Sequence, residues 1–248
     1  MRIFVGTLES GEAEFAESSA AISAQQNVSV TRHVISGLPE YKAHNALWAA
    51  WAAAKTTHDL FVKIDADTVL NRPTALKEIA ALFADRSVTG AQLKLLDYFT
   101  TEPMPGMNAF SPDVVFAPAR KRLYSDHADS GHRKVLKGDA VRHLEPIAWH
   151  CRNPNPRQAF HFGFRRMLKR QADVISALTR AWRREPLPGR EWAMAGAASV
   201  RWWMRLAPGA GARNLGTAFA RMADAELRGI EIRRFAEAHI PQEKGEAA

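Results

Sequence analysis

Hydrophobic residues in the first part of the chain follow two alternating patterns, short continuous runs and longer stretches with helical spacing. The short runs are rich in Val, Ile and Phe, which favour extended backbone, and they predict strands. These predicted strands cover residues 3–7, 28–35, 60–64 and 88–96. The helical patterns between them cover residues 12–25, 41–55 and 73–85. Because the two kinds of element alternate at short intervals, the sequence predicts an α/β fold, a mainly parallel sheet with helices on both faces.

The pattern changes in the second half of the chain. Residues 100–111 are rich in Pro, Gly and Met and show no period, whereas strand signals return at residues 114–116 and 147–149. From Phe160 onward the pattern is helical and basic. We therefore expect a sheet-containing domain over residues 1–165, a basic helical extension over residues 166–240 and a disordered tail over residues 241–248.

The positive charge of the chain is concentrated in its C-terminal part. Residues 1–151 hold 16 basic and 17 acidic side chains, whereas residues 152–248 hold 18 and 9, so the net charge of +8 arises there. Such a segment favours an anionic partner, which could be the phosphates of a ligand, lipid headgroups or nucleic acid. The other interpretation is a solvated helical surface. No recognised nucleic-acid-binding module is visible in the sequence, so nucleic acid is the weakest of these partners.

Basic residues are mixed with Met and Leu at residues 165–170 and with Trp and Met at residues 201–205. Faces of this kind can lie on an anionic membrane surface, with Trp at the level of the headgroups, which would suit a peripheral membrane contact. The favoured alternative is packing, because aromatic residues are more often buried than membrane-facing. In that interpretation the tryptophans cover the sheet domain or a partner in a homo-oligomer, and the residues concerned are Trp182, Trp192, Trp202 and Trp203.

Cysteine content and apolar segments bear on the compartment. The single cysteine, Cys151, excludes an intramolecular disulfide and a cysteine-cluster metal site, and it is typical of a reducing compartment. The N-terminus lacks the long apolar run of a secretory signal. The longest apolar stretch, residues 46–54, is too short to cross a membrane. We therefore expect a cytoplasmic protein, with peripheral contact to the inner membrane face as an extension of that expectation.

The candidate chemistry begins with the run Phe-Val-Lys-Ile-Asp-Ala-Asp at residues 61–67. Strand geometry sends residues i and i+2 to the same face, so Asp65 and Asp67 would point together beyond the carboxyl end of the third strand. Ligands bind at that end in open α/β sheets. Two adjacent carboxylates repel each other unless a cation lies between them, and a hard divalent ion suits that place. In the alternative interpretation, Asp65 begins a turn and Asp67 caps the helix that follows Pro73.

A second feature is His150, which follows the apolar run at residues 147–149 and should lie at the end of another strand. Imidazole completes a carboxylate metal site well, which makes His150 a candidate third ligand. A buried, hydrogen-bonded structural histidine is the alternative. Arg152, Arg157 and His161 follow within a short distance and offer donors for phosphate. A diphosphate held by a divalent ion on one side and by these basic groups on the other is a coherent site.

The strand–helix alternation, the Asp-x-Asp at residues 65–67 and the later strand that ends in His150 together resemble a GT-A glycosyltransferase of the family 2-like group. The segment Ala-His-Asn-Ala-Leu-Trp at residues 43–48 is similar to the A-x-N-x-G helix that precedes Asp-x-Asp in that group. The resemblance covers residues 1–165 and implies a metal-dependent enzyme with a GT-A fold. Such an enzyme moves a sugar from a nucleotide-diphosphate sugar to a hydroxyl acceptor, for example in surface polysaccharide or glycolipid synthesis.

The resemblance implies a donor site built from several parts of the chain. The loop after the first strand contacts the base and ribose, segments around the third strand face the nucleotide, and a later loop closes on the diphosphate. The corresponding residues are Thr7, Leu8, Glu9, Asn45, Lys63, Asp65, Arg157 and His161. From the residues alone, Thr7 and Glu9 could instead cap the next helix, and Lys63 could lie along the sheet.

The resemblance also implies a divalent cation, Mn²⁺ or Mg²⁺, with Asp67 as the more direct of the two carboxylate ligands. The residues that match its metal ligands are Asp65, Asp67 and His150. An inverting transferase further needs a carboxylate that takes the proton of the acceptor hydroxyl. The Glu-Asp pair that supplies it in the group is absent here. The nearest acidic residues before His150 are Asp126 and Asp129, which could equally be solvated loop residues, and Asp97 is a third candidate.

Two other classes of function stay open at this point. A nucleotidyltransferase can use a similar sheet, but it would usually carry a Gly-rich, basic first loop, and residues 6–11 are neither a G-x-G-x-x-G nor a P-loop. A degenerate transferase domain could instead be a non-catalytic basic scaffold on a membrane or on nucleic acid. That scaffold would bind lipid or nucleic acid regardless of Mn²⁺ and nucleotide.

Overall fold

The computed structural model describes residues 1–120 and 128–239. The chain divides into two compact units, one formed by Met1–Tyr98 and Glu102–Pro154, the other by Phe99–Thr101 and the chain from Asn155 onward. The domain boundary expected at residue 165 falls inside a helix of the second unit. The tail expected over residues 241–248 lies outside the described residues.

The first unit combines strands with three longer helices. Its strands are β1 (Arg2–Glu9), β2 (Ser29–Ser36), β3 (Leu60–Lys63), β4 (Thr68–Leu70), β5 (Val88–Asp97), β6 (Pro103–Phe110), β7 (Val115–Phe116), β8 (Ala128–Ser130), β9 (Lys134–Leu136) and β10 (Ala148–His150). Its helices are α1 (Phe15–Ser23), α2 (Glu40–Ala54) and α3 (Ala75–Ala81). The strands and helices predicted from the sequence are therefore present, with shifted ends.

One sheet dominates the first unit, with the strand order β2-β1-β3-β6-β5-β10-β4 and with β9 paired to β5. Strand β1 pairs in parallel with β2 and β3, and β5 pairs in parallel with β9 and β10. Strands β6 and β4 run antiparallel to their neighbours. The carboxyl ends of β1, β3, β5 and β10 consequently lie along one edge of the sheet. The predicted α/β fold with a mainly parallel sheet is confirmed.

Helices cover both faces of this sheet because successive strand residues point to opposite sides. Ile3 of β1 belongs to a buried cluster on one face, together with Ile79 of α3. The neighbouring residue Phe4 faces the other way, into a cluster with Trp51 of α2 and Phe61 of β3. The rings of Trp51 and Phe61 stack at a centroid distance of 5.3 Å. The sheet is thus buried on both sides, which explains why its central strands are apolar without alternation.

Strand β6 occupies most of the stretch in which the sequence shows no period. It pairs with β5 along one edge and with β3 along the other, so its backbone hydrogen bonds come from neighbours in the sheet. A side chain at Gly106 would overlap the side chain of Leu95, which explains the glycine at that position. The stretch without a hydrophobic period is thus a strand within the sheet rather than a loop.

The second unit is helical. Its helices are α4 (Pro156–Leu168), α5 (Ala172–Arg184), α6 (Pro188–Ala198), α7 (Trp202–Leu206), α8 (Pro208–Gly211), α9 (Leu215–Arg221) and α10 (Ala225–Ala238). The side chain of Asn155 caps α4 by accepting a hydrogen bond from the N–H of Gln158 (2.9 Å). The backbones of helices α4 and α6 lie in close contact at Gly163 and Gly196. A side chain at either position would meet a main-chain carbonyl of the other helix, so both positions require glycine. Within the described residues, no helix has both the length and the hydropathy required to span a membrane.

Candidate metal centre

Three strand ends meet at one edge of the sheet in the first unit. Strand β10 lies between β5 and β4, with His150 opposite Asp97 of β5 and opposite the first residue of β4. A turn links β3 to β4, and Asp67 directly precedes β4. The N–H of Cys151 donates to the carbonyl oxygen of Asp67 (2.9 Å) and holds this turn against the end of β10. These backbone pairings place Asp67, Asp97 and His150 next to one another.

The imidazole of His150 is oriented by a carboxylate on each side. Its Nδ1 donates to Oδ1 of Asp97 at 2.6 Å, and the side chain of Asp97 is fully buried. Because Nδ1 is engaged in this way, Nε2 is directed to Oδ2 of Asp67, 3.5 Å away. The side chain of Asp67 is 20% exposed, so its carboxylate reaches the surface of the first unit. Asp67 is therefore neither a helix-capping residue nor part of a solvated pair of side chains.

A thiol completes this cluster. Sγ of Cys151 lies 3.3 Å from Oδ2 of Asp67, to which it donates, and 3.5 Å from Nε2 of His150. Cys151 has a φ of +50°, in the left-handed region that non-glycine residues seldom adopt. Asp67, His150 and Cys151 each offer one ligand atom, and these atoms lie within 4.8 Å of one another. In residues 1–120 and 128–239, no other group of three such ligands is found.

The charges of the cluster are strongly coupled. Burial by itself would raise the pKa of Asp67, but the charge of His150 and hydrogen bonds from His150 and Cys151 outweigh it. Together with the charge of Lys63, they lower that pKa to about 2. Burial by itself would lower the pKa of His150, but the negative charge of Asp67 and the hydrogen bonds to Asp67 and Asp97 raise it well above 6.5. Burial raises the pKa of the Cys151 thiol far above its usual range, so the two carboxylates are the groups that hold the proton on the imidazole.

The donor set fits a divalent cation. A carboxylate oxygen and an imidazole nitrogen are ligands that suit Mn²⁺ and other first-row divalent ions. The bond from His150 Nδ1 to Asp97 is the contact that typically orients a metal-binding histidine and fixes its tautomer. Asp67 and His150 are therefore the residues that would hold a cation. The thiol of Cys151 is softer and protonated, which suits it to orienting the Asp67 carboxylate.

Comparison with known proteins finds similarity to solved structures alone. No protein-family model matches the chain, and no curated protein sequence matches it. A solved structure that is similar to the chain is the mannosyltransferase PcManGT from Pyrobaculum calidifontis, in complex with GDP-Man and Mn²⁺. The two sequences are 14% identical, the match covers 96% of this chain and 85% of that one, and the TM-score is 0.41. A likeness this distant assigns neither a family nor an activity, so the function has to be inferred from the site itself.

Asp65 lies outside the cluster, contrary to the expectation that Asp65 and Asp67 point the same way. Strand β3 ends at Lys63, and the N–H of Thr68 then donates to the carbonyl oxygen of Asp65 (2.9 Å), which closes a turn. The i, i+2 rule holds instead for Lys63 and Asp65, whose side chains form an ion pair at 2.7 Å. The alternative that Asp67 caps the following helix is also wrong, because α3 begins after Thr74.

The loop after β1 lies beside this turn. The N–H of Ala66 donates to the carbonyl oxygen of Leu8 (3.3 Å), which brings the end of β1 next to the Asp-Ala-Asp segment. Thr7 is fully buried, and Glu9 accepts a hydrogen bond from the N–H of Gly11 at 2.7 Å. Glu9 therefore stabilises the turn before α1 rather than capping the helix itself. The glycine that opens this segment, Gly6, is required by packing against α2 and β3.

Asn45 positions a loop of the first unit. Its Oδ1 accepts a hydrogen bond from the N–H of Ala119 at 2.6 Å, and its Nδ2 donates to the carbonyl oxygen of Ala119 at 3.1 Å. One hydrogen bond at each end of the amide thus fixes the loop that follows β7. A role of Asn45 in binding the nucleotide stays a prediction.

The remaining sequence candidates fall in three places. Asp126 lies outside the described residues, and Asp129 belongs to β8, whose backbone pairs with β7. Arg157 and His161 lie one turn apart on α4 in the second unit, with Arg157 exposed and His161 partly buried. Their roles stay predictions. The structure groups Asp67 with His150 and leaves Asp65 with Lys63, as described above.

Three acidic residues near the cluster were not assigned their observed contacts by sequence reasoning. Asp97 is the last residue of β5 as His150 is the last residue of β10, and this matching position at the ends of two predicted strands is the sequence signal for their pairing. Glu14 is buried and accepts from the N–H of Asn153 at 2.8 Å, which ties α1 to the segment after β10. The pKa of Glu12 is raised, mainly by burial and partly by the charge of Asp67. Neither glutamate had a signal in the sequence.

Proposed function

We propose that this chain is a metal-dependent glycosyltransferase that moves a sugar from a nucleotide-diphosphate sugar to a hydroxyl acceptor. The observation that carries the proposal is the pair Asp67 and His150, held at the carboxyl edge of a mainly parallel sheet with Asp97 behind the imidazole. In open α/β sheets this edge is where ligands bind. A Mn²⁺ or Mg²⁺ site there is suited to a diphosphate donor.

The residues of the chain divide the work in this proposal. Asp67 and His150 would hold the cation, and Asp97 would orient the imidazole of His150 through its hydrogen bond to Nδ1. When bound, the cation neutralises the charge that develops on the leaving diphosphate. The end of β1, formed by Thr7, Leu8 and Glu9, contacts the Asp-Ala-Asp turn and would receive the nucleoside of the donor.

Other residues singled out by the sequence stay candidates. Arg157 and His161 lie one turn apart on α4, and their side chains offer donors that suit a phosphate. If the enzyme inverts the sugar configuration, Asp126 or Asp129 would take the proton of the acceptor hydroxyl. The acceptor in this proposal is a hydroxyl of a growing surface polysaccharide or glycolipid.

The structure of the first loop bears on the nucleotidyltransferase alternative. Such an enzyme would be expected to use the Gly6–Gly11 loop to cradle a triphosphate. Here a side chain at Gly6 would overlap Leu47 and Phe61, so this glycine serves the packing of α2 rather than access to phosphate. Product analysis separates the two reactions, because the transferase releases a nucleoside diphosphate and the nucleotidyltransferase releases pyrophosphate.

A thermal-shift experiment tests the proposal directly. Wild type, Asp67→Asn and the surface control Asp139→Asn are each melted with UDP, GDP, CDP or TDP, with and without Mn²⁺. A ligand at a hundredfold excess over its Kd stabilises the folded state by about 2.7 kcal/mol. We expect a Mn²⁺-dependent shift with one nucleotide in wild type and Asp139→Asn, and its loss in Asp67→Asn. An equal shift in all three proteins, or none in folded wild type, would overturn the proposal.

A further inference from the structure

A cavity of about 540 Å³ lies within the second unit, apart from the residues of the metal cluster. One part of its wall is apolar and is formed by Met167 of α4, Ile175 of α5, and Trp202 and Leu206 of α7. Its volume falls in the range of about 300–1,000 Å³ that small-molecule sites usually occupy. The cavity is large enough for a ligand of substantial apolar surface.

The α7 side of this cavity exposes large apolar side chains. Trp202 is 69% exposed and Leu206 is 68% exposed, whereas Met204, between them in sequence, is buried. The packing interpretation of the sequence, in which Trp202 is covered, does not hold within this chain. Covering this exposed tryptophan and leucine with an apolar ligand removes apolar surface from water, which favours binding.

The rest of the wall combines basic side chains with the neutral residues Gln171, Ala172 and Ser176. Arg170, Arg205 and His239 line the cavity, and the lining contributed by described residues contains no acidic side chain. One guanidinium N–H of Arg170 donates to the carbonyl oxygen of Arg205 (3.1 Å), which holds Arg170 at the α7 side. A guanidinium carries five N–H donors in a planar fork, so Arg170 keeps donors that suit a phosphate or carboxylate.

We infer that this cavity binds a single-chain anionic amphiphile. Its apolar chain would pack against Met167, Ile175, Trp202 and Leu206, and its phosphate or carboxylate head would pair with Arg170 and Arg205. The juxtaposition of an apolar wall with an arginine pair favours this ligand class over a neutral or cationic one. The inference does not depend on the proposed transferase activity.

Isothermal titration of the full chain with dodecyl phosphate, kept below its micelle concentration, tests this inference. The chain supplies matched controls, because Trp203 is also exposed (45%) and Arg213 is also an exposed arginine of the same unit, and neither lines the cavity. We expect binding at one molecule per chain. Trp202→Ala should weaken it about tenfold through lost apolar burial, and Arg205→Gln about fivefold through a lost charged hydrogen bond. Trp203→Ala and Arg213→Gln should leave Kd within about twofold.

Several outcomes would overturn the inference. Equal affinity for dodecyltrimethylammonium would show that the arginines do not select charge. Equal weakening by Trp203→Ala would show adhesion to a surface rather than occupancy of the cavity. Binding to vesicles of phosphatidylcholine and phosphatidylglycerol, with none to the dodecyl phosphate monomer, would point to a membrane surface. Because Trp202 is largely exposed, its replacement should not disturb the fold, which circular dichroism checks.

Discussion

The replacement Asp97→Asn tests whether the buried carboxylate behind His150 controls the metal site. Asparagine has nearly the same shape, so the fully buried position stays filled and the packing around it is kept. The substitution removes the charge at the acceptor of the 2.6 Å bond from His150 Nδ1. A hydrogen bond that involves a charged group contributes about 1.5–3 kcal/mol. Since 1.4 kcal/mol corresponds to a factor of ten in affinity, Mn²⁺ binding should weaken by roughly 10- to 100-fold, which is the usual effect of losing such a partner.

The assay is a Mn²⁺ titration followed by electron paramagnetic resonance, which counts free Mn²⁺ directly. Wild type, Asp97→Asn and Asp67→Asn are compared, with Asp139→Asn as the surface control and with urea unfolding as a check on the fold. Asp67→Asn should bind least, because it removes a proposed ligand, and Asp97→Asn should lie between it and wild type. The reasoning fails if folded Asp97→Asn binds Mn²⁺ within about twofold of wild type while Asp67→Asn does not bind.

Three further predictions address the thiol of Cys151, the packing of α4 against α6, and the hydrogen bonds of Glu78. Cys151→Ser should leave the Mn²⁺ affinity within about threefold of wild type, because a hydroxyl can also donate to Asp67. A larger loss of affinity in the same titration would indicate that the thiol is a metal ligand. Gly163→Ala should lower the free energy of unfolding by about 1–3 kcal/mol, since the new methyl meets a carbonyl of α6; stabilisation, as helix propensity alone predicts, would contradict this. Glu78 accepts from Arg72 and Thr74, and chiefly the bond from Arg72 lowers its pKa in the folded state. Glu78→Gln should therefore lower the free energy of unfolding by about 1 kcal/mol at neutral pH. This difference should disappear as the pH falls through the folded-state pKa of Glu78, because the carboxylate is then protonated in the wild type. A difference in urea unfolding that does not change with pH would refute the assignment.

Local sequence patterns were enough to predict most helices and strands of the first unit. The runs at residues 60–64 and 88–96 contain enough Val, Ile, Leu and Phe to predict strands, and the helical spacing of Leu76 and Ile79 predicts α3. Because strand and helix alternate, the parallel arrangement of β1, β2 and β3 follows from elementary chain topology. The positions of Asp67 and His150 directly after apolar runs likewise predict that both lie at the edge of the sheet.

Which groups meet at that edge depends on contacts between distant parts of the chain. The turn that closes between Asp65 and Thr68 ends the strand alternation, so Asp65 stays with Lys63 while Asp67 turns to His150. Strand β6 lies between β3 and β5 because its backbone forms hydrogen bonds with both of these strands. The β6 segment has no hydrophobic period, so the sequence gives no local signal for this position. The pairing of Asp97 with His150 joins residues that are far apart in sequence. Such contacts depend on strand register, and register is set by the packing of the whole sheet rather than by any one segment.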